Sequence, residues 1–414
     1  MDNAPLDIVE TILDLLAQDD LYLRFTKVCS LVCQDFHAIC KKRIFASIAL
    51  NTPSSCTVVK PLPSNPRHIE RGTTPQFVRL LQDSPDIGEY VHRLQYSIAS
   101  NDLDNRTLIQ TFQKVTRLRS FEIGSMEGIS FDWSNNPLRE WILHLLHLPT
   151  LEIFGVLDFF MQNFNLSDLA PCYRLESLNL NSVQIVPRSP CMFPISSIKL
   201  RALEIGYRAA GSTLVSLCGA KCADDTPFMD FTNLTHITVA MTGSPGFFGL
   251  AQCLLSRCDQ LVQVHLRIDS QYCNFMLRGL TKMLAPSMST LTHLTFFIAF
   301  GGLERGRLLR NISDELRQMN NKNIIEKIGI EVALANKFNA DCSQAKQWAH
   351  LNDALGGSGW PNLREVAVTI SIFARIVSEE HPGLADAVQS LPEMKLPRLL
   401  SRKLVSFKIA MRDD

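Results

Sequence analysis

Eleven times between residues 91 and 409 the chain repeats one spacing: an apolar residue, two variable positions, an apolar residue, one variable position, and a third apolar residue. The copies are Val91-Leu94-Tyr96, Leu118-Phe121-Ile123, Leu151-Phe154-Val156, Leu175-Leu178-Leu180, Leu200-Leu203-Ile205, Leu234-Ile237-Val239, Leu261-Val264-Leu266, Leu291-Leu294-Phe296, Ile325-Ile328-Ile330, Leu363-Val366-Val368 and Leu404-Phe407-Ile409. Phe45-Ile48-Leu50 reads as a degenerate opening copy. Successive starts lie 24 to 41 residues apart. At 46% hydrophobic content the spacing alone arises by chance at roughly one position in ten. Its neighbours give it meaning. Most copies follow a helix-like segment, such as "EWILHLLHLPT" before Leu151 or "AQCLLSRCDQ" before Leu261. Each copy ends in the apolar-x-apolar alternation of a half-buried strand. A helix followed by a strand at this period predicts a solenoid, in which stacked neighbours bury what one unit leaves open.

Charge and cysteine usage narrow the function classes. The 414 residues carry 41 Lys+Arg against 41 Asp+Glu, with no block of like charge. A general nucleic-acid binder needs a basic surplus to displace counterions, so no nucleic-acid partner is expected. The first twenty residues hold six acidic side chains and no basic one, the reverse of a secretory leader and unlike a transit peptide. The stretches 231–256 and 283–303 lack formal charge but are broken by Gly, Pro, Ser and Thr, so no membrane span is expected. The expectation is an intracellular chain, cytoplasmic or nuclear. None of the twelve cysteines forms a C-x-x-C, which removes zinc ribbons, RING domains and thioredoxin-like motifs. Cys29, Cys33, His37 and Cys40 share one helical face but span about 16 Å along it, too far for one metal. The four N-x-[ST] sequons read as chance matches. No phosphate loop, dinucleotide fingerprint, H-E-x-x-H or nucleophile elbow occurs. Gly243-Ser-Pro-Gly246-Phe-Phe-Gly249 reads as a turn between strand and helix, and Gly356 to Gly359 as a helix-terminating loop. A non-catalytic protein with no cofactor and no metal is the expectation. An enzyme would need a pocket with convergent titratable groups.

Residues 4–43 predict three short helices. Pro5 suits a first helical position, and Ile8, Ile12 and Leu16, spaced by four, form an apolar stripe with Val9 and Leu13 beside it. Asp20 is placed to cap a second helix running through Lys27. Ser30 is placed to cap a third, with Val32, Cys33, Phe36, Ile39 and Cys40 on its apolar side. This segment resembles an F-box: Pro5, Ile8, Ile12, Leu16, Asp20-Leu21 and Val32-Cys33-x-x-Phe36 follow the family's pattern. The family's Leu-Pro start appears here as Pro5-Leu6, and its usual Trp is Phe36. The resemblance implies docking on a Skp-family linker protein, and through it on cullin and RING subunits. It assigns that contact to Pro5, Leu6, Ile8, Ile12, Leu16, Val32, Cys33 and Phe36. The alternative is a helical cap on the solenoid, outside any ligase.

The repeats resemble leucine-rich repeats, covering roughly 330 residues. The family's Asn or Cys three residues past the strand is missing, replaced by Met126, Phe159, Val183, Thr242 or Asp269. The expected architecture is an α + α/β chain. A three-helix F-box-like domain (4–50) and a Pro/Ser-rich linker with five prolines (51–75) precede an irregular, right-handed α/β solenoid (76–414), with a curved parallel sheet and helices on its convex side. Variable strand positions would line the concave face. They include Glu122, Asn179 and Lys327, with Glu204, His236, His265, Arg267 and His293 as candidate substrate-binding residues. F-box plus leucine-rich repeats resembles the substrate receptors of SCF ubiquitin ligases. That implies an unidentified substrate protein on the repeats.

Overall fold

The computed structural model describes residues 8, 10–13, 24–51, 70–103, 105, 107–126, 130–157, 160–181, 183–186, 197–206, 210–222, 224–241, 245–269, 277–300, 305–334, 345–373 and 389–412. The fold is mixed α/β, and thirteen described strands belong to its main parallel sheet. We number these β1 to β13 in chain order. The chain divides into two compact units, Met1–Asn179 and Leu180–Asp414, each described by itself.

The first unit opens with helical residues at 10–13, helix α1 (Arg24–Cys29) and helix α2 (Gln34–Ile44). Leu13, Ile39, Cys40 and Ile44 form a small buried core, with Cys29, Phe36 and Phe45 packed against it. Ser30 does not cap α2. Its hydroxyl donates to the Lys27 carbonyl at 2.6 Å, and the extended Cys33 takes the N-cap position without a side-chain bond. The reason is local: a turn after α1 uses residues 30–32, so the next helix starts later. Helix α2 runs almost directly into β1 (Ser47–Leu50), and Lys41 bonds Asp86 at 2.8 Å. The strands follow in the order β2 (Glu70–Gly72), β1, β3 (Arg93–Ile98), β4 (Ser120–Ser125), β5 (Ile153–Val156) and β6 (Ser177–Leu180). Glu70 to Gly72 and the helix from Thr74 fall inside the stretch expected as linker, and residues 52–69 lie outside the described residues.

The second unit places seven strands side by side in chain order: β7 (Ala202–Ile205), β8 (His236–Met241), β9 (Gln263–Asp269), β10 (His293–Phe300), β11 (Lys327–Leu334), β12 (Glu365–Phe373) and β13 (Val405–Arg412). Parallel neighbours require a crossover, and helices such as Arg305–Gln318 and Ala345–Leu355 supply it. The helix Pro245–Leu255 takes up Gly246 and Gly249, so that glycine-rich stretch is largely helix rather than turn. Its Pro stands at the first position, where the missing N–H costs nothing. No described helix is long and apolar enough to cross a membrane.

Every apolar residue of the first ten repeat copies is at most 5% exposed. Registers align them: Ile48, Leu94, Phe121 and Phe154 form one row, and Leu203, Ile237, Val264, Leu294, Ile328 and Val366 another. The last copy departs. Phe407 stands opposite Val368 rather than Val366, a slip of two residues. A two-residue slip keeps each side chain on its own face, which is why the sequence pattern could not reveal it.

Without the Asn ladder, the backbone itself holds repeat to repeat. One carbonyl at each strand entrance accepts two successive N–H groups from the next repeat. In the first unit Ala46 O takes His92 and Arg93, His92 O takes Arg119 and Ser120, and Arg119 O takes Glu152 and Ile153. In the second unit Arg201 O, Thr235 O, Val262 O, Thr292 O and Glu326 O do the same. Buried carboxylates and amides anchor the helices behind the strands. Glu315, 4% exposed, caps the helix Leu280–Leu284 by accepting from Gly279 N at 2.7 Å and Thr281 N at 3.0 Å. Gly279 has φ +86°, a left-handed conformation that glycine adopts freely.

Candidate functional site

Two surfaces carry the residues singled out by sequence. The first is the outer side of the N-terminal helices. Leu13 faces inward from its helical turn, whereas Ile8 and Ile12 are each 51% exposed. Thr26 of α1 is buried, while Phe25 and Val28 are 65% and 64% exposed. The stripe continues through the turn with Leu31 at 84% and Val32 at 67%. Positions 25, 28 and 32 share one helical face by the i, i+3, i+7 rule. The other exposed large apolar side chains among the described residues, Met126, Tyr173, Val215 and Leu400, are scattered. Isolated exposed apolar residues are ordinary, but six within 25 residues are not.

The structure thus sorts the predicted linker-contact residues. Ile8, Ile12, Val32 and Cys33 are exposed. Phe36 instead packs against the small core, because it lies on the face of α2 that carries Ile39 and Cys40. Pro5, Leu6 and Leu16 lie outside the described residues. Phe25, Val28 and Leu31 were missed, although the spacing of Phe25, Val28 and Val32 could have found them. Cys29 is half-buried, Cys33 exposed and Cys40 buried, so these thiols do not converge.

The second surface is the variable face of the sheet in the second unit. Glu204, Thr238, His265, Thr295 and Gly329 stand in one register row. His236, Gln263, His293, Lys327 and Glu365 form another. Arg267 reaches back from β9 across β8 to β7, where it pairs with Glu204 at 2.9 Å and donates to Asn181 Oδ1 at 3.0 Å. That reach spans about 10 Å, two strand spacings. Ala240, the register partner of Arg267 on β8, is small enough to let the side chain pass. Asn181 is set by Gly206, since a Cβ at that position would collide with the Asn181 carbonyl. Neither Asn181 nor Gly206 was legible as a site residue, because the Arg267–Asn181 bond spans 86 positions.

His236 and His293 repeat one local motif. Each Nδ1 lies 2.8 Å from the hydroxyl of the preceding threonine, Thr235 or Thr292. Burial, and then the nearby His293, hold His236 below the ordinary histidine range, which favours its neutral form. Lys327 pairs with Glu365 at 2.7 Å. In the first unit the corresponding face carries Arg93 paired with Glu122 at 3.2 Å. This is a half-buried, internally paired polar surface. It offers hydrogen-bonding edges to a partner, and no nucleophile–base pair is assembled on it. Among the described residues no group of three or more His, Cys, Asp or Glu is placed to hold a metal ion.

Comparison with known proteins adds no name: no protein-family model matches the chain, and no curated protein matches it.

Proposed function

We propose that the chain is the substrate-recognition subunit of an SCF-type ubiquitin ligase. Its F-box-like helices bind a Skp-family linker protein, and through it cullin and RING subunits. Its leucine-rich-type solenoid, curved with the helices outside, holds a target protein. The observation that carries this reading is the exposed apolar series Ile8, Ile12, Phe25, Val28, Leu31 and Val32, set outside a core formed by Leu13, Ile39, Cys40 and Ile44. A helical cap would bury its stripe, whereas a docking module presents it. The receptor's contribution is proximity: it raises the effective concentration of a target lysine near a charged conjugating enzyme, without bond chemistry of its own.

The alternative is a non-ligase interaction module whose N-terminal helices serve the solenoid alone. The Lys41–Asp86 ion pair and the near-continuous passage from α2 into β1 support that reading. Co-elution with a recombinant Skp-family protein on size exclusion separates the two. The wild-type chain should co-elute, and Phe25→Asp/Val28→Asp should not, with unchanged circular dichroism. A folded wild type that never co-elutes would leave the interaction-module reading standing.

A further inference from the structure

Two thiols face each other across neighbouring helices of the second unit. Cys218 is carried by the helix Ala210–Gly219 and Cys253 by the helix Pro245–Leu255, and these helices pack together. Both thiols are half-buried, and Cys218 is hydrogen-bonded to Cys253. Helices in contact run about 8–10 Å apart, so cysteines on their facing sides come within the 4.4–6.8 Å Cα separation that a disulfide spans, about 5.5 Å being typical. Cys258, just beyond the second helix, is buried and donates its S–H to the Leu254 carbonyl at 3.2 Å. Arg257 donates to the Cys218 carbonyl at 3.3 Å, placing a positive charge beside the pair.

We propose that Cys218 and Cys253 form a site of oxidative cross-linking, closed by a hydroperoxide and reopened by a dithiol reductant. One thiolate attacks a peroxide oxygen, breaking the O–O bond to give a sulfenic acid and hydroxide. The second thiolate attacks that sulfur, forms the S–S bond and expels a second hydroxide. The two thiol protons convert both hydroxides to water. Each sulfur loses one electron and each peroxide oxygen gains one. The product staples two consecutive repeats directly behind β7 and β8, the strands that carry Glu204 and His236. Burial, and then the Cys253 neighbour, push the Cys218 thiol up to about 11. Cross-linking therefore accelerates as pH rises, because thiolate is the reacting form.

The test treats the purified full chain with hydrogen peroxide at pH 7 and pH 9, alkylates the remaining thiols, and maps non-reduced peptides by mass spectrometry. The expected result is a linked Cys218–Cys253 peptide pair, formed several-fold faster at pH 9 and lost on dithiothreitol treatment. Cys258→Ser should keep the link and Cys253→Ser should abolish it. The exposed Cys33 serves as internal comparator and should oxidise without an intrachain partner. The proposal fails if both thiols of the wild-type chain remain alkylatable after Cys33 has reacted, or if Cys218 links instead to Cys258 or to another molecule. Mapping the wild type needs no variant to fold, so a misfolded substitution does not shield the idea.

Discussion

Replacing Asp102 with alanine removes the acceptor at the centre of a buried polar cluster in the first unit. One oxygen, Oδ2, accepts from Tyr96 OH at 2.7 Å, Asn51 Nδ2 at 3.0 Å, Ala99 N at 3.1 Å and Thr74 Oγ1 at 3.3 Å. Asp102 itself is 4% exposed and Tyr96 fully buried. Burial first, and the Asp102 carboxylate next, push the Tyr96 phenol well above its ordinary range, so it remains a donor. After truncation Asn51 and Thr74 still hold each other, through bonds at 2.5 and 3.1 Å. Tyr96 OH is orphaned and Ala99 N loses its partner. An orphaned buried hydroxyl costs about 1–3 kcal/mol and a lost bond to a charged acceptor about as much, so Asp102→Ala should cost about 3 kcal/mol. Tyr96→Phe alone should cost about 1.5 kcal/mol, yet close to nothing in the Asp102→Ala background, where no acceptor remains. Urea unfolding followed by circular dichroism measures all three variants. A loss below about 1 kcal/mol for Asp102→Ala, or full additivity in the double variant, would refute this account of the cluster.

Further outcomes follow from the second unit and from the histidines. Gly206→Ala should cost about 3 kcal/mol by overpacking against the Asn181 carbonyl, measured by urea unfolding. Arg267→Ala should cost about 1–2 kcal/mol by leaving Glu204 without its counter-charge, and Arg267→Lys should recover part of it; equal stability of all three forms would show the pair idle. His236 and His144 are both held below their ordinary range, chiefly by burial. The unfolded chain therefore binds protons that the folded chain refuses, so stability should fall as pH drops through and below about 6.5. His144→Gln/His236→Gln should flatten that slope in thermal melts at pH 7.5 and 5.5, and an unchanged slope would contradict the assignment.

The repeat pattern located the strands because burial and spacing are local. Leu94 and Phe121 sit in the same place in their own copies, and parallel pairing then aligns them. The slip at Phe407 stayed hidden because a shift of two conserves the pattern. The carbonyl sharing at Ala46, His92 and Arg119 was invisible for a different reason: backbone groups are alike in every residue. On the N-terminal helices, sequence supplied an apolar stripe but not its division into inside and outside. Ile12 and Leu13 are adjacent apolar residues with opposite fates, decided by what Ile39 and Ile44 pack against. Arg267 was placed on the correct strand face, but its partners come from Asn181 and Glu204, residues that only the assembled sheet brings near.

The central claim is that the exposed apolar stripe is a docking surface for a Skp-family linker. Calorimetric titration of that protein into the full chain, beside Val28→Asp/Leu31→Asp, tests it most directly. The account predicts a single saturable binding event for the wild type and at least a tenfold loss, about 1.4 kcal/mol or more, in a variant with an unchanged melting profile. No heat of binding with a folded wild-type chain, or equal affinity in the variant, would contradict it.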